Sequence, residues 1–459
     1  MKKLNIFWFF IFISSYYLGS CSPLNNLADP SSANSAKSLS DYASIQELAD
    51  QSFKSGIVPQ YTTNGNKSGL ITLGDAGGCV VMTVGKLKCW GQNDYAQVGL
   101  GTTIPITPTP GGVSSPTWAT AVNPISGQDI IVSVVAGRSS TCAFFFSGYK
   151  CWGNQNSGVL GNSVNSTTPA TSPQFTTNTG GKIVKSVQLN DGYSCILDNT
   201  GKVTCWGANT NGQLGDGTTT ATLTGVAASL GSNATLLVGH NSDSCALLSN
   251  GNVKCWGKDF GTIPSLPVSI TTSNAVSLLG GGTVNFPFLG CAVLIDSTVQ
   301  CFGNSPNTFG EFGNGTKTAP SSTTTGITVL NSNLQPLTGA VMVGSGGANS
   351  TAYPQATIYA FSCAVTDDYT SVYCWGGNYY GNVGNGTNTD SNVAVKVTQT
   401  WPNSAIIDLA VSDGRACVLL KNNDVWCWGG NFYGFGELGN GSLTGTTNVP
   451  IKILNRNDP

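Results

Sequence analysis

Histidine is almost missing from this chain: His240 is the one imidazole in 459 residues. A hydrolase that pairs a nucleophile with an imidazole base, or a zinc centre of the Cys/His kind, needs more than that. Charge is scarce as well. Only 9% of the residues are Asp, Glu, Lys or Arg, the formal net charge is -2, and no run of Lys or Arg occurs in the body of the chain. Such a chain makes no broad field to gather phosphate, so nucleic acid is not an expected partner. The few carboxylates are scattered through turn-like stretches, where Asp75, Asp191 and Asp216 read as turn formers rather than as paired acids and bases. No catalytic residue, metal site or cofactor is therefore assigned, and the protein is not expected to be an enzyme. Beyond the N-terminus no apolar run is long enough to span a bilayer, and helical amphipathic patterns are rare.

What the chain has in abundance is glycine, 59 residues, with Ser, Thr and Asn filling the stretches between short apolar runs. This composition suits an all-β domain of short strands and many turns. The N-terminus has a different character. Lys2 and Lys3 precede an apolar run, Leu4 to Tyr17, that is too short for a membrane span and reads as a secretion signal. The following Leu18-Gly19-Ser20-Cys21 resembles the bacterial lipobox, which implies cleavage before Cys21 and acylation of that residue; each buried methylene of such an anchor contributes about 0.8 kcal/mol. Ser22 resembles the sorting signal for the outer membrane, facing periplasm or cell surface. Residues 1–20 are thus expected to be a lipoprotein signal peptide and 21–69 a flexible tether rich in Ser, Asn, Ala and Asp. Tyr42, Ile45, Leu48 and Ala49 allow a short helix between Leu39 and Phe53.

Residues 70–459 hold one unit seven times over. Apart from Cys21, the cysteines form close pairs: Cys79 and Cys89, Cys142 and Cys151, Cys195 and Cys205, Cys245 and Cys255, Cys291 and Cys301, Cys363 and Cys374, Cys417 and Cys427. Six second cysteines are followed by Trp-Gly (Trp90, Trp152, Trp206, Trp256, Trp375, Trp428) and the seventh by Phe302-Gly303. Pairs recur every 46 to 72 residues, a period that suits a four-stranded propeller blade. Hairpin geometry tests the spacing. With Cys245 opposite Cys255, Leu248 faces Asn252 across a three-residue loop whose last member, Gly251, occupies the position that wants a left-handed backbone. Gly85, Gly201 and Asn423 fall at the same place. Opposed cysteines at a non-hydrogen-bonded pair lie within bridging distance, so cross-strand disulfides are the economical reading; zinc ligation and reduced core thiols are the alternatives.

After the aromatic-Gly pair several copies continue as Gly-x-Leu/Val-Gly-x-Gly-Thr, fullest in Gly212-Gln-Leu-Gly-Asp-Gly-Thr218 and close in Gly381 to Thr387 and Gly436 to Gly441. These residues resemble the regulator of chromosome condensation repeat, in its cysteine-containing bacterial form, and the resemblance implies a seven-bladed β-propeller. It covers about Leu70 to Leu454. Blade four lacks the Leu-Gly-x-Gly tail and blade five the tryptophan. The family's frequent histidine before the first hairpin is absent: Gly77, Ser140, Tyr193, Asp243, Leu289, Phe361 and Arg415 stand two residues before each first cysteine. The motif tryptophans are expected to pack between blades with their N–H groups on backbone carbonyls rather than to bind a ligand. An extended segment follows each tail, such as Val393 to Val397; none precedes the first hairpin, and Val449 to Leu454 is left over at the end. Closure is therefore expected by pairing of the C-terminal strand in the N-terminal blade.

Variable aromatics in the turn after the motif, Tyr95, Tyr379, Tyr380, Phe432 and Tyr433, are the candidate partner-binding residues, because Tyr and Phe anchor interfaces well. The connections about Thr102 to Asp129 and Lys317 to Ile358 are further recognition candidates. The expectation is a monomeric, lipid-anchored, extracytoplasmic propeller that binds a protein or a glycan. Three rivals are an inhibitor of an extracytoplasmic enzyme, as in the secreted propeller that inhibits β-lactamase; a guanine nucleotide exchange factor, like the nuclear member; and an enzyme with a site in the central channel.

Overall fold

The computed structural model describes residues 69–459 except 76, 105–111, 121–129, 146–147, 176–182, 191, 241, 261–265, 273, 282–287, 320–323, 351–356, 400, 402–403 and 432. Cys21, the expected signal and the expected helix lie outside the described residues, as does Phe432.

The strands form seven four-stranded antiparallel sheets, each made of four strands consecutive in the chain. Blade one is β1 (Ile71–Gly74), β2 (Gly77–Val81), β3 (Leu87–Gln92) and β4 (Gly112–Trp118). Blade two is β5 (Ile131–Ala136), β6 (Ser140–Phe145), β7 (Gly148–Gln155) and β8 (Ser166–Phe175). Blade three is β9 (Val184–Leu189), β10 (Tyr193–Asp198), β11 (Val203–Gly207) and β12 (Thr222–Ala227). Blade four is β13 (Ala234–His240), β14 (Asp243–Leu248), β15 (Val253–Gly257) and the short β16 (Val268–Ile270). Blade five is β17 (Ala275–Gly281), β18 (Leu289–Leu294), β19 (Val299–Gly303) and β20 (Ile327–Thr328). Blade six is β21 (Ala340–Ser350), β22 (Thr357–Thr366), β23 (Val372–Gly376) and β24 (Ser391–Lys396). Blade seven is β25 (Ile406–Ser412), β26 (Arg415–Leu420), β27 (Asp424–Asn431) and β28 (Gly445–Asn455). The first strands of successive blades touch one another around the whole ring, β25 against β1 included, so they are the innermost.

Every cysteine pair is bridged between the second and third strands, with the two residues directly opposite and Cα atoms 4.0–4.1 Å apart. The turn chemistry is as expected. Leu248 donates its N–H to Asn252, and Gly251, Gly85, Gly201 and Asn423 all have positive φ. Seven apolar clusters fill the junctions between neighbouring blades, and each holds a motif aromatic ring. The residue facing that ring across the hairpin is small in every blade. At Gly78 a Cβ would stand 2.5 Å from Trp90 Cζ2.

Closure differs from the expectation. β28 pairs with β27 inside blade seven, and blade one has its own inner strand, β1. The extended segment after each tail is the outer strand of its own blade, so no strand is left over to share. Side chains join the ends instead. Asp408 Oδ2 accepts N–H groups of Leu70 and Ile71 at 2.9 and 3.2 Å. Arg415 Nη2 donates to the carbonyls of Gly74 and Asp75 at 2.6 and 2.9 Å. Arg456 Nε donates to Val81 O, and the Arg456 carbonyl accepts from Thr83. The stretch Lys317 to Ile358 is also less of a loop than expected: it contains β20 and all of β21, whose ladder with β22 runs on to Ser350 opposite Thr357.

Candidate binding face

In an antiparallel blade the turn between strands one and two and the connection between strands three and four share one end, and the disulfide hairpin turns lie at the other. The candidate aromatics that the structure describes all sit in the third-to-fourth connection, so they belong to one face. The elongated hairpin β21–β22 reaches out on that same face.

In five blades the connection is set by an asparagine near its start. The Oδ1 atoms of Asn93, Asn209, Asn307, Asn378 and Asn431 accept the N–H of Val98, Leu214, Phe312, Val383 and Leu438 at 2.6–3.0 Å. The Nδ2 of Asn378 donates onward to the carbonyls of Thr387 and Thr389, both at 3.0 Å. One buried amide thereby fixes about a dozen residues of loop, which satisfies the backbone groups that a loop would otherwise leave to water.

The tail then docks on the next blade. Trp152, Trp206, Trp256, Trp375 and Trp428 donate their indole N–H to the carbonyls of Gln97, Val159, Gln213, Glu311 and Asn382 in the preceding blade, and Trp90 donates to Glu437 of blade seven, at 2.8–3.2 Å throughout. The tryptophans are core residues, as expected. The arrangement also explains why two irregularities of the sequence occur together. The tail missing from blade four and the indole missing from blade five would have met at the same junction. There Phe302 meets Phe288 at a tilt with ring centroids 6.3 Å apart, and Phe288 meets Phe260 edge to face at 5.2 Å.

The residue whose carbonyl receives the indole is a structural position that sequence reasoning missed. Except at Val159 in blade two its side chain is polar and buried, and in four blades it accepts a backbone N–H of its own loop: Gln97 and Gln213 accept the N–H of Tyr95 and Asn211, and Glu311 and Glu437 that of Phe309 and Tyr433. A polar residue standing before an apolar residue and Gly was the available signal. Glutamate is the costly variant. Burial pushes the Glu311 carboxyl up to about 7, against the backbone N–H bonds that favour its charge. An acid raised in the fold contributes stability at low pH that is lost as pH climbs from its unfolded value towards about 7. Glu311→Gln, which installs the residue of blades one and three, is expected to stabilise the protein at pH 8 by on the order of 2–3 kcal/mol and to match wild type at pH 4. Denaturant midpoints at the two pH values check this; equal midpoints at pH 8 would refute it.

The candidate aromatics divide. Tyr379 is 51% exposed, whereas the adjacent Tyr380 is only 7% exposed and meets it edge to face at 4.8 Å. Tyr380 is therefore a support for the turn and not itself a contact surface. Tyr95 is half-buried. Tyr433 is half-buried, lies parallel to Phe435, and directs its hydroxyl to Asp413 Oδ2 at 3.4 Å. Burial, then the charges of Asp413 and Asp75, raise its phenol pKa. A cleft between blades one and two, lined by Gly77, Gly78, Trp90, Gln97, Arg138 and Thr141, holds about 260 Å³ of empty space with open solvent included.

Comparison with known proteins agrees with this geometry. The family model described as the regulator of chromosome condensation (RCC1) repeat matches residues 184–213 and 406–434. The protein named ultraviolet-B receptor UVR8 of Arabidopsis thaliana is 24% identical over 376 residues, covering 78% of this chain and 76% of that protein. Human WBSCR16 has a similar structure, with TM-score 0.61 and 17% identity over 76% of this chain and 86% of its own. So does Prp20p of Saccharomyces cerevisiae, with TM-score 0.60 and 17% identity over 86% and 88% of the two chains. The molecule is a seven-bladed β-propeller in which the RCC1 repeat is matched at these two stretches.

Proposed function

We propose that this propeller is an exported binding scaffold, lipid-anchored through Cys21 at the outer membrane, that holds a protein partner on the face carrying Tyr379 and acts by binding rather than by catalysis. Seven disulfides support an oxidising compartment outside the cytoplasm. The observation that carries the reading is a half-exposed aromatic ring on a turn whose backbone is immobilised by Asn378, because a ring already held in place loses little freedom on binding. Prp20p, which has a similar fold, has binding properties towards Gsp1p and histones.

Crosslinking in intact cells followed by mass spectrometry tests the proposal. Tyr379→Ala is expected to reduce capture of the principal partner at least tenfold, the size of an interface hot spot of about 2 kcal/mol, with Phe432→Ala as the second variant. Unchanged capture by both would refute the aromatic face. The exposed ring of Tyr379 contributes little to the core, so loss of capture is separable from loss of fold.

A further inference from the structure

We infer that the junction of blades four and five is the compliant seam of the ring, where the carboxylates of Asp243 and Asp259 stand in for the indole lock and make closure respond to pH. The Phe302 ring has no N–H to give, and the outer strands of the two blades, β16 and β20, have three and two residues, with Thr271 and the segment Thr324 to Gly326 bonded across the seam at the disulfide-hairpin end. On the candidate binding face a relay crosses the seam. Asp243 Oδ1 accepts the N–H of Asp259 at 2.8 Å, and Asp259 Oδ2 accepts the N–H of Phe288, in the next blade, at 2.7 Å.

The relay starts from a carboxylate that is 2% exposed. Asp243 faces Asp259 and Lys258 from its own blade and Tyr193 from blade three; Tyr193 shares the Ser244 hydroxyl with Gln188, and His240 stands opposite Asp243 in the ladder. Burial, and then the like charge of Asp259, hold the Asp243 carboxyl well above the ordinary carboxylate range. Opening the seam exposes Asp243 to water and returns it to that range. The closed seam therefore binds a proton that the open seam gives up, so closure is favoured on the acid side and weakens as pH rises through the closed-state value. At the other six junctions an indole N–H donates to a carbonyl, a tie that does not itself titrate; raised carboxyls also stand at two of them, Glu311 between blades five and six and Asp408 between blades seven and one, so the reference amides are taken from neither.

Residue-resolved hydrogen exchange on the oxidised full chain, corrected for intrinsic rates, tests this between pH 5 and pH 8. Protection of the Asp259 and Phe288 amides is expected to fall by about tenfold per pH unit over the range where Asp243 ionises, while the Leu214 and Val383 amides of other blades keep theirs. Asp243→Asn can still accept the Asp259 N–H but carries no charge, and it is expected to flatten the profile; His240→Asn is expected to leave it intact. A wild-type profile that is flat, or shared by Leu214 and Val383, overturns the inference without recourse to any variant. So does a slope that survives in Asp243→Asn or vanishes in His240→Asn.

Discussion

Trp256→Ala is expected to destabilise the propeller by about 3–5 kcal/mol, the range for removing a large aromatic ring from a packed core. The ring is fully buried in the junction of blades three and four, among Leu214, Leu230, Leu237 and Leu248. Its N–H holds the Gln213 carbonyl at 2.8 Å, and Gly215, whose φ of +66° few side chains tolerate, comes so close that a Cβ there would stand 2.8 Å from Trp256 Cδ1. Removal leaves a cavity and a buried carbonyl with no donor. Trp256→Phe separates the two effects, since it keeps most of the ring and copies what blade five has at Phe302. That variant is expected to cost only the unpaired carbonyl and a small void, about 1–3 kcal/mol. Denaturant midpoints at unchanged slope are the measurement. Equal losses in the two variants would mean that the indole N–H dominates the junction, and no loss in either would remove the indole lock as the device that joins blades.

How much of the molecule is legible in its sequence depends on how local each contact is. The disulfide hairpins are readable because everything needed lies within eleven residues: Cys245 and Cys255 fix the register and Gly251 fixes the turn. The tryptophans are readable as core because a ring repeated at the same place is packing. Assignment of an extended segment to one blade or the next is not local. Val393 to Val397 could equally open blade seven or finish blade six, and the wrong choice produces a shared closing blade that β28 does not make. The same limit hides Asp408, Arg415 and Arg456, whose partners in blade one lie more than 330 residues away. Tyr379 and Tyr380 are the same residue type side by side in the same turn, and only the path of the backbone turns one outward and one inward. The lapses in blades four and five are both visible in the sequence, but their connection requires knowing that each indole meets the tail of the blade that precedes it.

Reduction of the seven disulfides is expected to abolish the native fold, and reductant alone is expected to be unable to begin it. Each bridge closes a loop of about 11 residues, for which the chain-entropy model gives about 3 kcal/mol, and the whole stability of a typical domain is about 5–15 kcal/mol. The contributions do not add strictly, but the loss of a few bridges already approaches that total. Access decides the kinetics. All fourteen bridged cysteines are buried, the most open of them only 3% exposed, so a reducing agent meets sulfur only after a blade has opened. Thiol titration should therefore find no more thiol after prolonged reductant in buffer than before it, and fourteen more after reductant with denaturant. The reduced, alkylated chain should then lack a cooperative transition by near-ultraviolet circular dichroism when returned to buffer. A reduced chain that regained native packing would mean that the blade cores suffice unaided, and would remove the physical reason for placing this protein in an oxidising compartment.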